Sequence, residues 1–159
     1  MPVAQADWVL LAYRLPREPS TPRVTIWRKL RRLGVAQVID GLVALPASAR
    51  TTEQLEWIAD EVLEAGGEAI LWLGRPGSRA DEWRLAVAMA ANVAAEYQAV
   101  LADVESVSRG ASSSGRRSLR RLERELQRIA RRDFFPPPER EAARAAVRRL
   151  AAELDEVAP

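Results

Sequence analysis

Between Glu18 and Asp40 the chain places five cations, Arg23, Arg28, Lys29, Arg31 and Arg32, and no carboxylate. Guanidinium and ammonium groups at this density bind phosphate or another anion through charge-assisted hydrogen bonds. If STPRVTIWRKLRRLG (Ser20 to Gly34) is a helix, Ile26, Trp27, Leu30 and Leu33 form one arc, with Arg28, Lys29, Arg31 and Arg32 outside it. Those four are candidate contacts to nucleic-acid phosphates. Arg23 falls within the apolar arc, in the first turn, where a cation opposes the helix dipole. With Arg17 and the hydroxyls of Ser20 and Thr21 it forms a second candidate set, suited to a tetrahedral oxyanion.

Each set has a plainer reading beside it. The stretch from Glu53 to Glu68 carries six carboxylates (Glu53, Glu56, Asp60, Glu61, Glu64, Glu68), with no base between Arg50 and Arg75. A helix of that composition, lying beside the basic one, would neutralise part of it. Arg23 can snorkel past a sheet edge to a carbonyl or carboxylate. The residues alone leave these alternatives open. A second basic run, Arg116 to Arg132, has eight arginines against Glu123 and Glu125. Its expected partners are Glu96, Asp103 and Glu105, in an ion-paired helical hairpin. The five tryptophans, Trp8, Trp27, Trp57, Trp72 and Trp83, sit mostly at core-facing or flanking positions, which points to packing rather than base stacking.

Much other chemistry is excluded. The chain has 159 residues and neither cysteine nor histidine, which removes disulfides, zinc fingers, thiol catalysis and histidine-based acid–base pairs. Only carboxylates remain as metal ligands, and their spacing is that of a helix surface, so the expectation is no metal, no cofactor and no enzymatic activity. A net charge of +2 is too small to act globally. The first apolar run is interrupted by Asp7 with no charged region before it, and Leu85 to Ala95 is short of the ~20 residues that span a bilayer. The expectation is a cytoplasmic protein that does not engage membranes.

The elements that must hold these side chains follow from period and punctuation. DWVLLAYRL (Asp7 to Leu15) reads as a strand apolar on both faces. Ser20 or Thr21 can cap the basic helix, Pro22 suits its first turn, and Gly34 ends it. VAQVI and LVALP flank Asp40-Gly41, a hairpin dipeptide. Thr51 and Gln54 have capping-box spacing before TTEQLEWIADEVLEAGG, which Gly66-Gly67 stop, and EAILWL is the last strand. The order β-α-β-β-α-β is that of an α+β, ferredoxin-like antiparallel sheet with both helices on one face, predicted over residues 1–76. The bare face then needs cover from the rest of the chain or from a second subunit. After GRPGSR, residues 77–159 read as three helices with heptad-like seams. The seams are Trp83, Ala86, Ala90, Val93, Tyr97, Val100, Val104 and Val107; then Leu119, Leu122, Leu126 and Ile129; then Ala143, Val147, Leu150, Leu154 and Val157. SRGASSSG reads as a link and FFPPPE as a stiff corner.

WVLLAYRLP with STPRVTIWRKLRRLGVAQVIDGLVALP, then EWIADEVLEAGGEAILW, then RDFF before the last helix, resemble the N-terminal domain of the ChrB chromate-resistance family. The likeness runs from about Trp8 to the end of the chain. It implies a regulator that responds to chromate and acts on the gene for a chromate exporter, with double-stranded DNA and chromate as ligands. A homodimer, or a protein partner through the sheet face or the seamed helices, is expected on the sequence pattern. The sheet half is also similar, more distantly, to the middle domain of phenylacetate-pathway repressors and to the small ferredoxin-like protein of CRISPR adaptation. In the latter a metal-linked Asp follows the first strand's aromatic; here Arg14 follows Tyr13 and cannot ligate a metal.

Overall fold

Residues 8–110 and 114–157 are described by a computed structural model. The order is β1 (Trp8–Arg14), α1 (Thr21–Leu33), β2 (Ala36–Ile39), β3 (Leu42–Pro46), α2 (Ala49–Glu64), β4 (Glu68–Gly74), α3 (Arg79–Arg109), α4 (Gly115–Arg131) and α5 (Glu139–Glu156). Asp7, expected to open β1, and the centre of the SRGASSSG link lie outside the described residues. The chain divides into two compact units, residues 1–88 and 89–159.

In the first unit the four strands are ordered β2-β3-β1-β4, and every neighbouring pair is antiparallel. This is the ferredoxin-like arrangement expected from the element order. Along β1 the side chains alternate between faces. Val9 and Leu11, with their cross-strand partners Leu45 and Val43, are fully buried on the face covered by α2. Ile26 and Leu30 of α1, and Leu55, Ile58 and Val62 of α2, supply the rest of that core. On the other face Trp8 is buried and its indole Nε1 donates to Glu82 Oε1 at 3.0 Å, at the start of α3. Towards β4 this face opens, leaving Ile70 60% and Trp72 58% exposed.

Turn chemistry fixes the joints. Gly34 caps α1 at φ 81°, and Gly41 holds the β2–β3 turn at φ 79°. Four expectations are corrected. Helix α2 begins earlier than the Thr51–Gln54 box implied: Ser48 is its cap, accepting from Thr51 N, while Thr51 Oγ1 accepts from Ser48 N. The box closes one turn upstream because the Thr51 hydroxyl also donates to the Pro46 carbonyl at 2.6 Å, tying the helix start to β3. Ser20 occupies the cap position of α1, yet neither it nor Thr21 makes a side-chain capping bond there. Packing accounts for Trp8 only among the fully buried residues. Trp27 is half-buried, and Trp57, Trp72 and Trp83 are exposed, because their positions face away from the cores that their elements build. Trp83 therefore does not open the buried seam of α3, which begins at Met89 and Val93.

In the second unit Val93, Tyr97, Val100 and Val104 of α3 pack with Leu122 and Ile129 of α4 and Ala143, Val147 and Leu150 of α5. The apolar run Leu85 to Ala95 is part of a 31-residue helix that is long and apolar enough to cross a membrane by length and composition. Much of that apolarity is alanine, and the larger residues from Val93 onward are spent on the bundle core. The second basic run pairs as expected at two places: Arg132 Nε donates to Glu96 Oε2 at 2.9 Å, and Arg121 reaches Asp103 at 3.5 Å. Glu105 instead pairs with Arg109 on its own helix.

Candidate nucleic-acid and anion interface

Helix α1 sorts its cations by face. Lys29 is half-buried, and its Nζ lies 2.6 Å from Oε2 of Glu61 on α2. Charge matching by the acidic helix is therefore real, and it consumes one cation. Arg28, Arg31 and Arg32 are exposed, and among the described residues none of their side chains forms a hydrogen bond or ion pair. Arg31 and Arg32 lie in the last turn, where a cation suits the helix dipole. Arg28 and Arg32, however, are four residues apart, a like-charge spacing that costs about 0.2–0.5 kcal/mol. The acid-free surface is maintained against its own repulsion.

The second candidate set is partly assembled. Arg17, Ser20 and Arg23 line one open groove of about 810 Å³, together with Tyr13, Trp27, Gln37 and Asp40. Thr21 is not among its lining residues. Arg23 is exposed and makes no hydrogen bond or ion pair among the described residues, so the snorkelled contact to a carbonyl or carboxylate is not formed. Arg17 is likewise without such a partner, whereas Arg14 at the groove's rim is committed to Glu68 at 2.6 Å. Arg23, Trp27 and Arg31 follow one another at intervals of four along α1, so groove and arginine surface are continuous on one side of the helix.

Three elements build the groove. Tyr13, the penultimate residue of β1, lies on the helix-covered face, and its backbone N donates to the Gly41 carbonyl at 2.8 Å, drawing the β2–β3 turn alongside. That turn delivers Asp40, whose Oδ1 accepts from Gln37 Nε2 at 3.2 Å. Burial holds the Tyr13 phenol above the ordinary tyrosine pKa; the Asp40 carboxylate adds to this and the Arg23 guanidinium opposes it. The phenol is accordingly a hydrogen-bond donor at neutral pH. Tyr13, Gln37 and Asp40 escape a reading of the basic stretch alone. The Asp40-Gly41 turn was the available signal, because a ferredoxin-like topology brings the β2–β3 turn beside the end of β1.

Among the described residues no group of three carboxylates is placed to hold a metal ion. What the arrangement offers is a row of arginines leading into a groove with aromatic walls.

Comparison with known proteins agrees with the sequence resemblance. The family model described as "Protein ChrB, N-terminal" matches residues 23–110. Protein ChrB of Cupriavidus metallidurans is 25% identical over 136 residues, covering 83% of this chain and 41% of that protein. The chain thus spans less than half the length of this curated relative. No solved structure matches.

Proposed function

The chain belongs to the ChrB N-terminal family, and from that premise we propose that it serves chromate resistance as a DNA-binding regulatory module. In this reading it is a cytoplasmic, non-catalytic protein, responsive to chromate and acting on the gene for a chromate exporter. The observation that supports it best is the exposed face of α1, where the side chains of Arg28, Arg31 and Arg32 have no partner among the described residues while Lys29 is neutralised. Guanidinium groups spaced along one helix face engage successive phosphates and give affinity that falls steeply with salt.

Fluorescence anisotropy on duplex DNA from upstream of the gene, over a series of salt concentrations with and without chromate, tests it. Three phosphate contacts give a slope near −3 in log K against log salt, at about −0.9 per phosphate. The Arg28→Glu/Arg31→Glu double variant should abolish binding with its thermal transition intact. Undiminished binding in that variant overturns the reading.

A second reading is favoured by the groove. Arg17, Ser20 and Arg23 line it together, and among the described residues neither arginine has an acidic partner within ion-pair distance. A tetrahedral oxyanion such as chromate or sulfate suits that end of it. Calorimetry with both anions checks this, and an absence of heat from either removes it.

A further inference from the structure

An inorganic oxyanion uses only part of the groove. Arg17 and Arg23 satisfy it, but Tyr13 and Trp27 offer it aromatic surface for which it has no use, and Asp40 repels it. The composition fits a ligand with one anionic end, one flat apolar body and one edge of N–H donors. From these contacts we propose that the groove binds a nucleoside monophosphate unit: its phosphate on Arg17 and Arg23, its base against Tyr13 and Trp27, and its amino edge on Asp40.

This inference rests on the reading that the groove attracts anions, and it adds what the other walls do. Bases stack on aromatic side chains because every base has a π-face, so the two aromatics supply affinity with little preference. Preference comes from Asp40. An ionised carboxylate only accepts, and it pairs best with two adjacent N–H donors. Guanine presents such a pair on its Watson–Crick edge, whereas thymine presents a single N–H. Gln37 engages Oδ1 of Asp40 through its amide nitrogen, which orients the group and leaves Oδ2 and the second lone pair of Oδ1 for the ligand. The half-buried Tyr13 phenol is a further donor at the groove wall. The unit can arrive as a free nucleotide or as an unpaired base in DNA already held along α1, since the phosphate and base chemistry is the same.

Isothermal calorimetry on the whole chain with dGMP, dTMP, inorganic phosphate and the single-stranded tetranucleotide TTGT separates these cases. We expect dGMP to bind at least about tenfold more tightly than inorganic phosphate, with dTMP between them. Asp40→Asn should erase the difference between dGMP and dTMP, and Arg23→Glu should weaken both about tenfold or more. Asp40 and Arg23 are exposed, so both variants should keep the parent's thermal transition. Arg28→Glu/Arg31→Glu, at positions outside the groove lining, should weaken dGMP binding far less than Arg23→Glu does while abolishing duplex binding, which keeps the two tests apart. Tighter binding of TTGT than of dGMP names an unpaired base as the occupant, and the reverse order names a free nucleotide. Equal affinity for phosphate and dGMP overturns the proposal while leaving an oxyanion site. Binding of none of the four ligands overturns both, and a dGMP preference that survives Asp40→Asn also overturns the proposal.

Discussion

Lys29 on α1 and Glu61 on α2 meet at 2.6 Å, and this contact separates the one cation of the basic helix that is neutralised among the described residues from its neighbours. Both side chains remain more than a third exposed, so the pair is worth at most about 1 kcal/mol. Lys29→Gln should lower the urea-unfolding free energy by no more than that. It should also reduce the salt slope of duplex binding far less than Arg31→Gln, which is expected to remove about one unit. Equal losses from the two substitutions would place Lys29 on the DNA as well.

The second unit has its own polar keystone. The Tyr97 phenol donates to Asp133 Oδ2 at 2.7 Å, and Arg140 approaches the same oxygen at 3.6 Å, while the Asp133 side chain is fully buried. Tyr97→Phe strips a donor from a buried carboxylate and should cost about 1–3 kcal/mol in chemical denaturation.

The same contact makes a statement about pH. Burial first, and the Asp133 carboxylate second, hold the Tyr97 phenol well above the ordinary tyrosine range. Its proton is bound more tightly in the folded state than in the unfolded state. The stabilisation is therefore complete below the unfolded pKa of about 10, and it is lost as pH rises beyond it. Denaturation midpoints measured from pH 8 to pH 11 should fall at the alkaline end, and fall less in Tyr97→Phe. The Tyr13 phenol is raised as well, so the Tyr13→Phe/Tyr97→Phe chain should show the flattest profile.

Gly67 joins α2 to β4 where the backbone passes the end of β1. A Cβ there would collide with the Arg14 carbonyl oxygen and stand 2.9 Å from Val62 Cγ1. Gly67→Ala should destabilise by roughly 1–3 kcal/mol, as overpacking does. Gly77, which has nothing within 4 Å of a built Cβ, is the matched control, and its alanine variant should melt within a few degrees of the parent.

Trp8 and Trp72 read alike in sequence but differ in burial, at 2% and 58% exposed. Trp8→Ala should cost about 3–5 kcal/mol, because it leaves a cavity and deprives Glu82 of its indole donor. Trp72→Ala should cost about 1 kcal/mol or less, as for a largely solvated side chain. Thermal melts of the two variants, compared with the parent, decide it.

Much of the fold was legible because its signals are local. The Asp40-Gly41 turn, the Gly34 cap and the Gly66 stop each need only a backbone conformation that glycine supplies, and each appears at a positive φ. The apolar alternation of β1 and the three-and-four spacing of the later helices are likewise properties of short windows. The start of α2 was misplaced for the opposite reason. Ser48 outcompetes the Thr51–Gln54 spacing only because Thr51 also reaches the carbonyl of Pro46 at the end of β3. The tryptophans misled because chemical type says that a side chain is apolar, not which face of its element meets a core.

By itself the sequence determined the element order, the acid-free run of cations and the absence of histidine and cysteine, since these are facts of composition and short-range period. Only the tertiary structure decided which cations are free. Lys29 is neutralised because α1 and α2 lie side by side with Glu61 in reach, whereas Arg28, Arg31 and Arg32 face outward and meet no carboxylate among the described residues. Tertiary structure alone also made the groove. Tyr13, Arg23 and Asp40 lie on three different elements, and their meeting depends on antiparallel pairing that carries the β2–β3 turn back beside the end of β1.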